Sequence, residues 1–277
     1  MFDQEAIAKA LNARGWELPF VLLDEIDSTN LEAKRHIREG NLPDGGLILT
    51  DRQTAGKGRL DRSWFAAEGK DLTFTLGFKN ELNRIDIPKM SLAAALGICQ
   101  VLETDYAIQA RMKWPNDVLI GDEKVAGILS EYVTPEEFII IGVGINVNSG
   151  KPDWDFPTVV PPTSLMSALG NEVDRVELLA SCAVAMRDFI PFARWEYFPS
   201  FQTLYGTRAF YDNRRVTIYQ DAFTAGAQGR EGKEEPDKEH PIEGIALGID
   251  RYGALIVRDD GGTDHSVRAG DLVVVKE

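Results

Sequence analysis

Histidine is scarce in this chain, with three among 277 residues, at positions 36, 240 and 265, each among polar neighbours. A histidine-dependent triad or a zinc site is therefore not expected, and any chemistry runs on carboxylates, lysines, arginines and amides. Cysteine is scarcer still: Cys99 and Cys182 sit in apolar helical patterns and make no metal-ligand spacing. They read as small buried hydrophobes in a protein kept in a reducing, cytoplasmic compartment. Positive charge is outweighed, 30 Lys and Arg against 44 Asp and Glu, for a formal net charge of −14. So acidic a molecule lacks the basic surface that phosphate neutralisation requires, which argues against DNA or RNA as its main partner. No apolar run approaches the ~18 residues of a membrane helix. The start, Met1-Phe2-Asp3-Gln4-Glu5, lacks the basic residues and apolar core of a signal peptide. There are no internal repeats.

Against this background one stretch, Thr50 to Trp64, gathers Arg52, Lys57, Arg59 and Arg62 with Gly56, Gly58 and Trp64, against only Asp51 and Asp61. It shows neither helical nor strand period. A positive island in an acidic molecule is where an anion is steered and held, and Gly56 and Gly58 let backbone come close to a bound group. A flexible loop that folds over a phosphate-bearing ligand fits these residues. A solvated surface loop fits them too. It is not a Walker motif, because Asp51 stands where the leading glycine belongs and Gly58 follows Lys57 where Ser or Thr belongs.

Along the chain, residues 3–14 carry a short helical pattern ended by Gly15, too little for a helix-turn-helix. Phe20 to Leu23 reads as a buried strand, and Ser28, Thr29 and Asn30 open a helix through Ile37. Three good N-cap residues in succession exceed what one cap needs, which leaves both a capping and a ligand role open. Strands are expected at 46–50 and 71–76, and a long apolar core helix between Ile87 and Glu103. Two short strands flank Trp114-Pro115-Asn116-Asp117, with Lys124 at the entrance of a third that contains Gly127. A small residue inside a strand often marks close approach by a ligand or another backbone. The buried strand 138–148, ending in asparagines, contains Gly142 and Gly144 but is no dinucleotide fingerprint, because Val147 takes the third glycine position and no helix follows. A loop over 149–162 carries Trp154 and Phe156, and a helix opens at Asp174 with Pro191 kinking or splitting it. Beyond Tyr205-Gly206-Thr207 four short strands, 215–219, 242–247, 254–257 and 272–275, suggest a small β-barrel. Its interruption at 224–241 reads as a long mobile loop.

Four blocks in this order resemble the biotin protein ligases: Asp27-Ser28-Thr29-Asn30, Gln53-Thr54-Ala55-Gly56-Lys57-Gly58-Arg59, Lys113-Trp114-Pro115-Asn116-Asp117 with Lys124-Val125-Ala126-Gly127-Ile128-Leu129, and Gly142-Val143-Gly144-Ile145-Asn146-Val147-Asn148. The resemblance implies an α+β fold: a mixed-sheet catalytic domain over residues 1–206, related to class II aminoacyl-tRNA synthetases, and an SH3-like barrel over 207–277. It implies that biotin and Mg-ATP form biotinyl-5′-AMP, from which biotin passes to a lysine of a biotin carboxyl carrier domain. By the same resemblance Ser28, Thr29, Asn30 and Gln53 bind the ureido ring, and Gly58, Trp64 and Gly127 border the biotin. Lys57, Gly58 and Arg59 close over the adenylate, and Lys124 meets the carboxylate–phosphate junction. Lys57, Arg59 and Lys124 are the catalytic candidates. Asn116 and Lys113 lie near the phosphates and Asn146 near adenine, while Trp154 or Phe156 adds an apolar wall. Metal ligands are not implied, and monomer and homodimer are both open. The family's usual first loop arginine is Lys57 here, and Leu60-Asp61 stands where many members have Arg-Gly. The short segment before Phe20 implies a ligase without a DNA-binding repressor domain. The alternatives are a lipoate-type ligase on the same fold and a non-catalytic biotin- or nucleotide-binding regulator. An Arg-Arg-x-Ser-Gly-Gly-Gly block, expected of the lipoate enzymes, is missing.

Overall fold

A computed structural model describes residues 1–60, 62–80, 87–150, 153, 160–211, 213–220 and 237–275. Trp154, Phe156, Asp61 and most of the 224–241 segment lie outside these. A seven-stranded sheet is formed by β1 (Phe20–Ile26), β2 (Gly46–Gln53), β3 (Leu72–Lys79), β4 (Ala110–Lys113), β5 (Asp117–Ile120), β6 (Glu123–Val133) and β7 (Phe138–Ile145). Its order is β1-β2-β3-β7-β6-β5-β4. Only β1 and β2 are parallel, so the sheet is mixed as expected.

Alternation along the central strands assigns the two faces different tasks. Leu47, Leu49, Phe74, Leu76, Ile139 and Ile141 face a large apolar core. That core is covered by α3 (Pro88–Tyr106), nearly all of it buried, and by α5 (Arg175–Phe189). The other face has a small apolar cluster, Ile48, Ile140, Val133 and Phe138, under Ala33 and Ile37 of α2 (Thr29–Arg38). Beyond this cluster the same face carries Thr73, Thr75, Gly127, Gly142 and Gly144 in direct register. Of these, the three glycines border a cavity, whereas the two threonines are buried.

Helix starts follow the expected chemistry. Asp174 caps α5 by accepting from Val176 and Glu177 N–H, and Pro191 passes the chain into a 3₁₀ turn over Ile190–Ala193. The helix α1 (Gln4–Asn12) is capped by Asp3, and both cysteines are buried, as read from their neighbours. After α4 (Leu165–Leu169) and α6 (Phe198–Gly206), five strands form an antiparallel sheet. These are β8 (Arg215–Gln220), β9 (Asp237–Ile249), β10 (Leu255–Arg258), β11 (Asp264–Val267) and β12 (Gly270–Val274), in the order β11-β10-β9-β8-β12.

Several sequence expectations are corrected. The strand at Phe20 is only half-buried, because β1 is the sheet's edge. Thr50 to Gln53 belong to β2, and Asp51 there is buried and paired with Arg175 at 2.9 Å, remote from any lid. Residues 237–241, read as loop, are in β9. The strand β11 escaped notice because Asp264-His265-Ser266-Val267 is short, polar and largely exposed.

Candidate functional site

A cavity of about 640 Å³ opens on the glycine-bearing face. It is lined by thirteen of the predicted site residues: Ser28, Thr29, Asn30, Gln53, Lys57, Gly58, Arg59, Trp64, Lys113, Asn116, Lys124, Gly127 and Asn146. Segments up to 118 residues apart in sequence thus meet in one place. Among the described residues no helix is long and apolar enough to cross a membrane, and no group of three or more His, Cys, Asp or Glu is placed to hold a metal.

One end of the cavity is built on the start of α2. Ser28 occupies the N-cap position, yet its side chain makes no capping hydrogen bond. Gln53 Oε1 accepts from Thr29 N–H at 2.8 Å and from Thr29 Oγ1 at 3.2 Å, which fixes the amide's orientation. Asn30 is buried; its Nδ2 donates to Leu129 O and to Glu131, and its Oδ1 accepts from Thr75 Oγ1 at 2.7 Å. With both amide hydrogens engaged, only Oδ1 retains capacity for a ligand. Glu131, anchored in turn by Lys34 at 2.6 Å, is a supporting residue that sequence spacing did not reveal.

The glycines are explained by what presses on them. A Cβ on Gly142 would fall inside the Asn30 amide, and one on Gly144 inside the Trp64 indole. A Cβ on Gly127, directly paired with Gly144, would meet Trp64 Cζ3 at 2.8 Å and Lys124 Cε at 3.1 Å. The indole therefore lies flat on sheet backbone. We expect Gly144→Ala to displace Trp64 and cost about 1–3 kcal/mol of stability, as overpacking typically does. Gly127→Ala should cost less. Thermal melts with tryptophan fluorescence would check this; equal, negligible shifts for both would be the contrary result.

Residues 56–60 and 62–64 pair as the two arms of a hairpin rather than forming an irregular loop. Trp64 N donates to Gly56 O at 2.8 Å, Gly58 N to Arg62 O at 2.6 Å and Arg62 N to Arg59 O at 3.1 Å. Leu60 takes the left-handed conformation at its tip, with φ 54°. The hairpin carries Arg59 over the cavity, where Nη1 lies 3.4 Å from Asn116 Oδ1 and 3.4 Å from Gly270 O.

The remaining polar groups come from the turn between β4 and β5 and from β6. Lys124 Nζ sits 2.7 Å from Asp117 Oδ1 and 5.4 Å from the centre of the Trp64 ring, held by both an ion pair and a cation–π contact. Asn116 Nδ2 donates to Ile128 O at 2.8 Å, leaving its carbonyl toward Arg59. Burial pushes the Lys113 ammonium below the usual lysine range, with Asp117 opposing that shift. Asn146 is buried and donates to Thr163 O at 2.9 Å, so that it also ties β7 to the segment beside the cavity. Asp117, Arg62, Asp271 and Leu272 line the cavity as well. Arg62 and Asp271 were not anticipated as a pair, being 209 positions apart.

Such a site combines a neutral hydrogen-bonding end, an apolar wall and a cluster of cations, which suits a ligand that is polar but uncharged at one end and anionic at the other. Comparisons with known proteins agree with that description. Residues 22–148 match the biotin/lipoate A/B protein ligase family and residues 236–275 match the biotin protein ligase C terminal domain. The chain is 32% identical over 249 residues to the biotin--[acetyl-CoA-carboxylase] ligase of Paracoccus denitrificans, covering 87% of this chain and 95% of that protein. It is 35% identical over 162 residues to the bifunctional ligase/repressor BirA of Bacillus subtilis, spanning only 50% of that protein's length. Among solved structures, the biotin protein ligase from Aquifex aeolicus in complex with biotin and ATP superposes with a TM-score of 0.72 at 26% identity. That match covers 92% of this chain and 99% of the other.

Proposed function

Because the chain belongs to the biotin/lipoate A/B protein ligase family, we propose that its cavity joins biotin to ATP and hands the biotinyl group to a protein lysine. The observation that carries this reading is the placement of Lys124. Its ammonium is held by Asp117 and Trp64 in the same cavity that Gln53, Thr29, Arg59 and Asn116 line. A biotin carboxylate attacks the α-phosphate of Mg-ATP there, the bond to the β-phosphate breaks, and pyrophosphate leaves. An acceptor amine then attacks the acyl carbon of the mixed anhydride, loses its proton and expels AMP. No enzyme nucleophile is required, so positioning and charge stabilisation supply the rate.

In this reading Ser28, Thr29, Asn30 and Gln53 hold the ureido ring, with Trp64, Gly58 and Gly127 along the bicycle and valeryl chain. A ring without the ureido group would leave these polar atoms unpaired, which disfavours lipoate. The Trp64 indole N–H, buried and without an acceptor among the described residues, is available to the ligand. Lys57, Gly58 and Arg59 cover the adenylate and keep water from the anhydride. Lys113 and Asn116 serve the phosphates and Asn146 the adenine edge. Mg²⁺ enters as the counter-ion of ATP. Residues 1–206 form the catalytic domain and 207–277 the barrel. The acceptor is a biotin carboxyl carrier domain, and the two buried free thiols suit a reducing cytoplasm.

A streptavidin blot after mixing the protein with biotin, Mg-ATP and a carrier domain tests the proposal. Biotinylation that needs all three components is expected. Thermal stabilisation by lipoate but not by biotin would instead favour the lipoate-type reading, and biotin binding without ATP–pyrophosphate exchange would favour a regulator.

The buried Lys113 gives a pH test. Its folded value lies below the ordinary lysine value of 10.5, so this group favours the fold increasingly as pH rises from that lowered value toward 10.5. An anionic ligand works in the opposite direction, favouring the ammonium. ATP affinity should therefore weaken on the alkaline side earlier than an exposed lysine would cause, and binding there should take up a proton. Calorimetric titration in buffers of different ionisation heat would detect that proton. The alkaline loss should move upward in Lys113→Arg, whose charge does not titrate in this range.

A further inference from the structure

The last strand of the barrel supplies part of the cavity wall. Leu272 of β12 is buried against the cavity, and Asp271 beside it faces the hairpin. Arg62 presents both terminal nitrogens to Asp271: Nη1 donates to Oδ1 at 3.1 Å, and Nη2 meets Oδ2 in a second, shorter contact. One residue earlier, Gly270 O receives Arg59 Nη1. The strand is fixed in turn by its register with β8, Asp271 against Tyr219 and Leu272 against Ile218. Two successive barrel residues thus hold the two arginines of the hairpin, one by a forked ion pair and one by a carbonyl.

We propose that Asp271 is a positioning residue that latches the hairpin shut from the barrel. Acting through Arg62, it keeps the hairpin over the cavity and so sets where Arg59 stands relative to Asn116. In this proposal the carboxylate acts through Arg62 rather than on a reacting atom. Its effect is on how often the hairpin opens, and on the reading of the site given above this governs escape of the adenylate. The hairpin's own hydrogen bonds hold its shape, whereas the Arg62–Asp271 fork holds its place. This divides the work between the two parts of the chain: one binds and activates, and the other decides how long the activated product stays.

Asp271→Asn keeps the shape and removes the charge. Hydrogen exchange at the Gly58, Arg62 and Trp64 amides, all bonded within the hairpin, should quicken about fivefold, the size one half-exposed ion pair supports. Exchange in β9 and β10 should stay at the parent level. The swapped pair Arg62→Asp with Asp271→Arg should restore slow exchange. In single-turnover reactions without acceptor, adenylate should leave Asp271→Asn about fivefold faster, with biotin affinity in the absence of ATP unchanged. Parent-level exchange at the three amides, or an equal rise throughout β9 and β10, would overturn the latch. A parent that forms no biotin-dependent adenylate would refute the enzymatic reading while leaving the exchange result to judge the latch.

Discussion

Replacing Lys124 by alanine is expected to reduce biotin-dependent ATP–pyrophosphate exchange by about 10²–10³, the usual effect of removing one preorganised charge contact from a reacting centre. The magnitude follows from how firmly the ammonium is held. A lysine side chain that swings in solvent contributes little, but this one is fixed 2.7 Å from Asp117 and over the Trp64 ring. The charge is therefore in place before the two anions approach, and no reorganisation is needed as they react. Lys124→Arg should rescue only partly, since a planar fork does not reproduce a compact point charge. The melting temperature should change little, because the side chain is partly exposed and lies at the cavity rather than in the core. Exchange within a few-fold of the parent would remove Lys124 from the mechanism. Arg59→Ala should lose a comparable factor, with a larger share in KM for ATP.

Arg175→Ala is expected to be the most damaging single change to stability. Its guanidinium is 2.9 Å from Asp51 Oδ1, donates to Asp71 O at 3.0 Å and lies 4.1 Å from the centre of the Phe2 ring. The side chains of Arg175 and Asp51 are only 10% and 4% exposed. Removing the cation leaves the Asp51 carboxylate buried with the Phe2 N–H as its remaining partner. Breaking a buried pair in this way costs about 3–5 kcal/mol. For a chain of this size that corresponds to a fall in melting temperature on the order of 10 °C. Asp51→Asn should also destabilise, because it leaves the buried Arg175 guanidinium without its counter-charge, but by less, since Arg175 keeps Asp71 O as an acceptor. A melting curve for Arg175→Ala within about 2 °C of the parent would contradict the assignment. Catalysis per folded molecule should be unaffected, because neither residue lines the cavity.

Much of the site was legible because its parts are local. The surplus of cap residues at Ser28, Thr29 and Asn30 is a short-range signal, and the structure shows why: Ser28 does no capping and Asn30 turns inward. The basic stretch, the Trp-Pro-Asn-Asp turn and the glycines of β7 are likewise visible as patterns within ten residues. Order along the chain then joined them. What stayed hidden depends on which residues meet across long loops. Asp51 looked like part of a charged loop, and only the packing of α5 against β3 brings Arg175 to it. Glu131 lies 101 positions from the Asn30 amide it orients. Asp271 is an unremarkable acidic residue until β12 sets it opposite Arg62. Leu60 gave no hint of a turn, because a leucine with positive φ is uncommon and composition favours glycine there. The strand β11 was missed for the opposite reason, having too little apolar character to signal a buried face.

The row of Gly127, Gly142 and Gly144 has a further consequence for how selectivity is distributed. At these three glycines the strands contribute no side chain to the cavity wall, so there the sheet offers a surface of fixed contour. The shape of the space above it is written by Asn30 from a helix and by Trp64 from the hairpin, which both descend onto that surface. Recognition and rigidity are thereby assigned to different parts of the chain. Substitutions that retune what is accepted belong on the helix start and the hairpin, which can vary without disturbing strand pairing. The strands themselves are constrained by volume and tolerate almost nothing larger than hydrogen at those three positions.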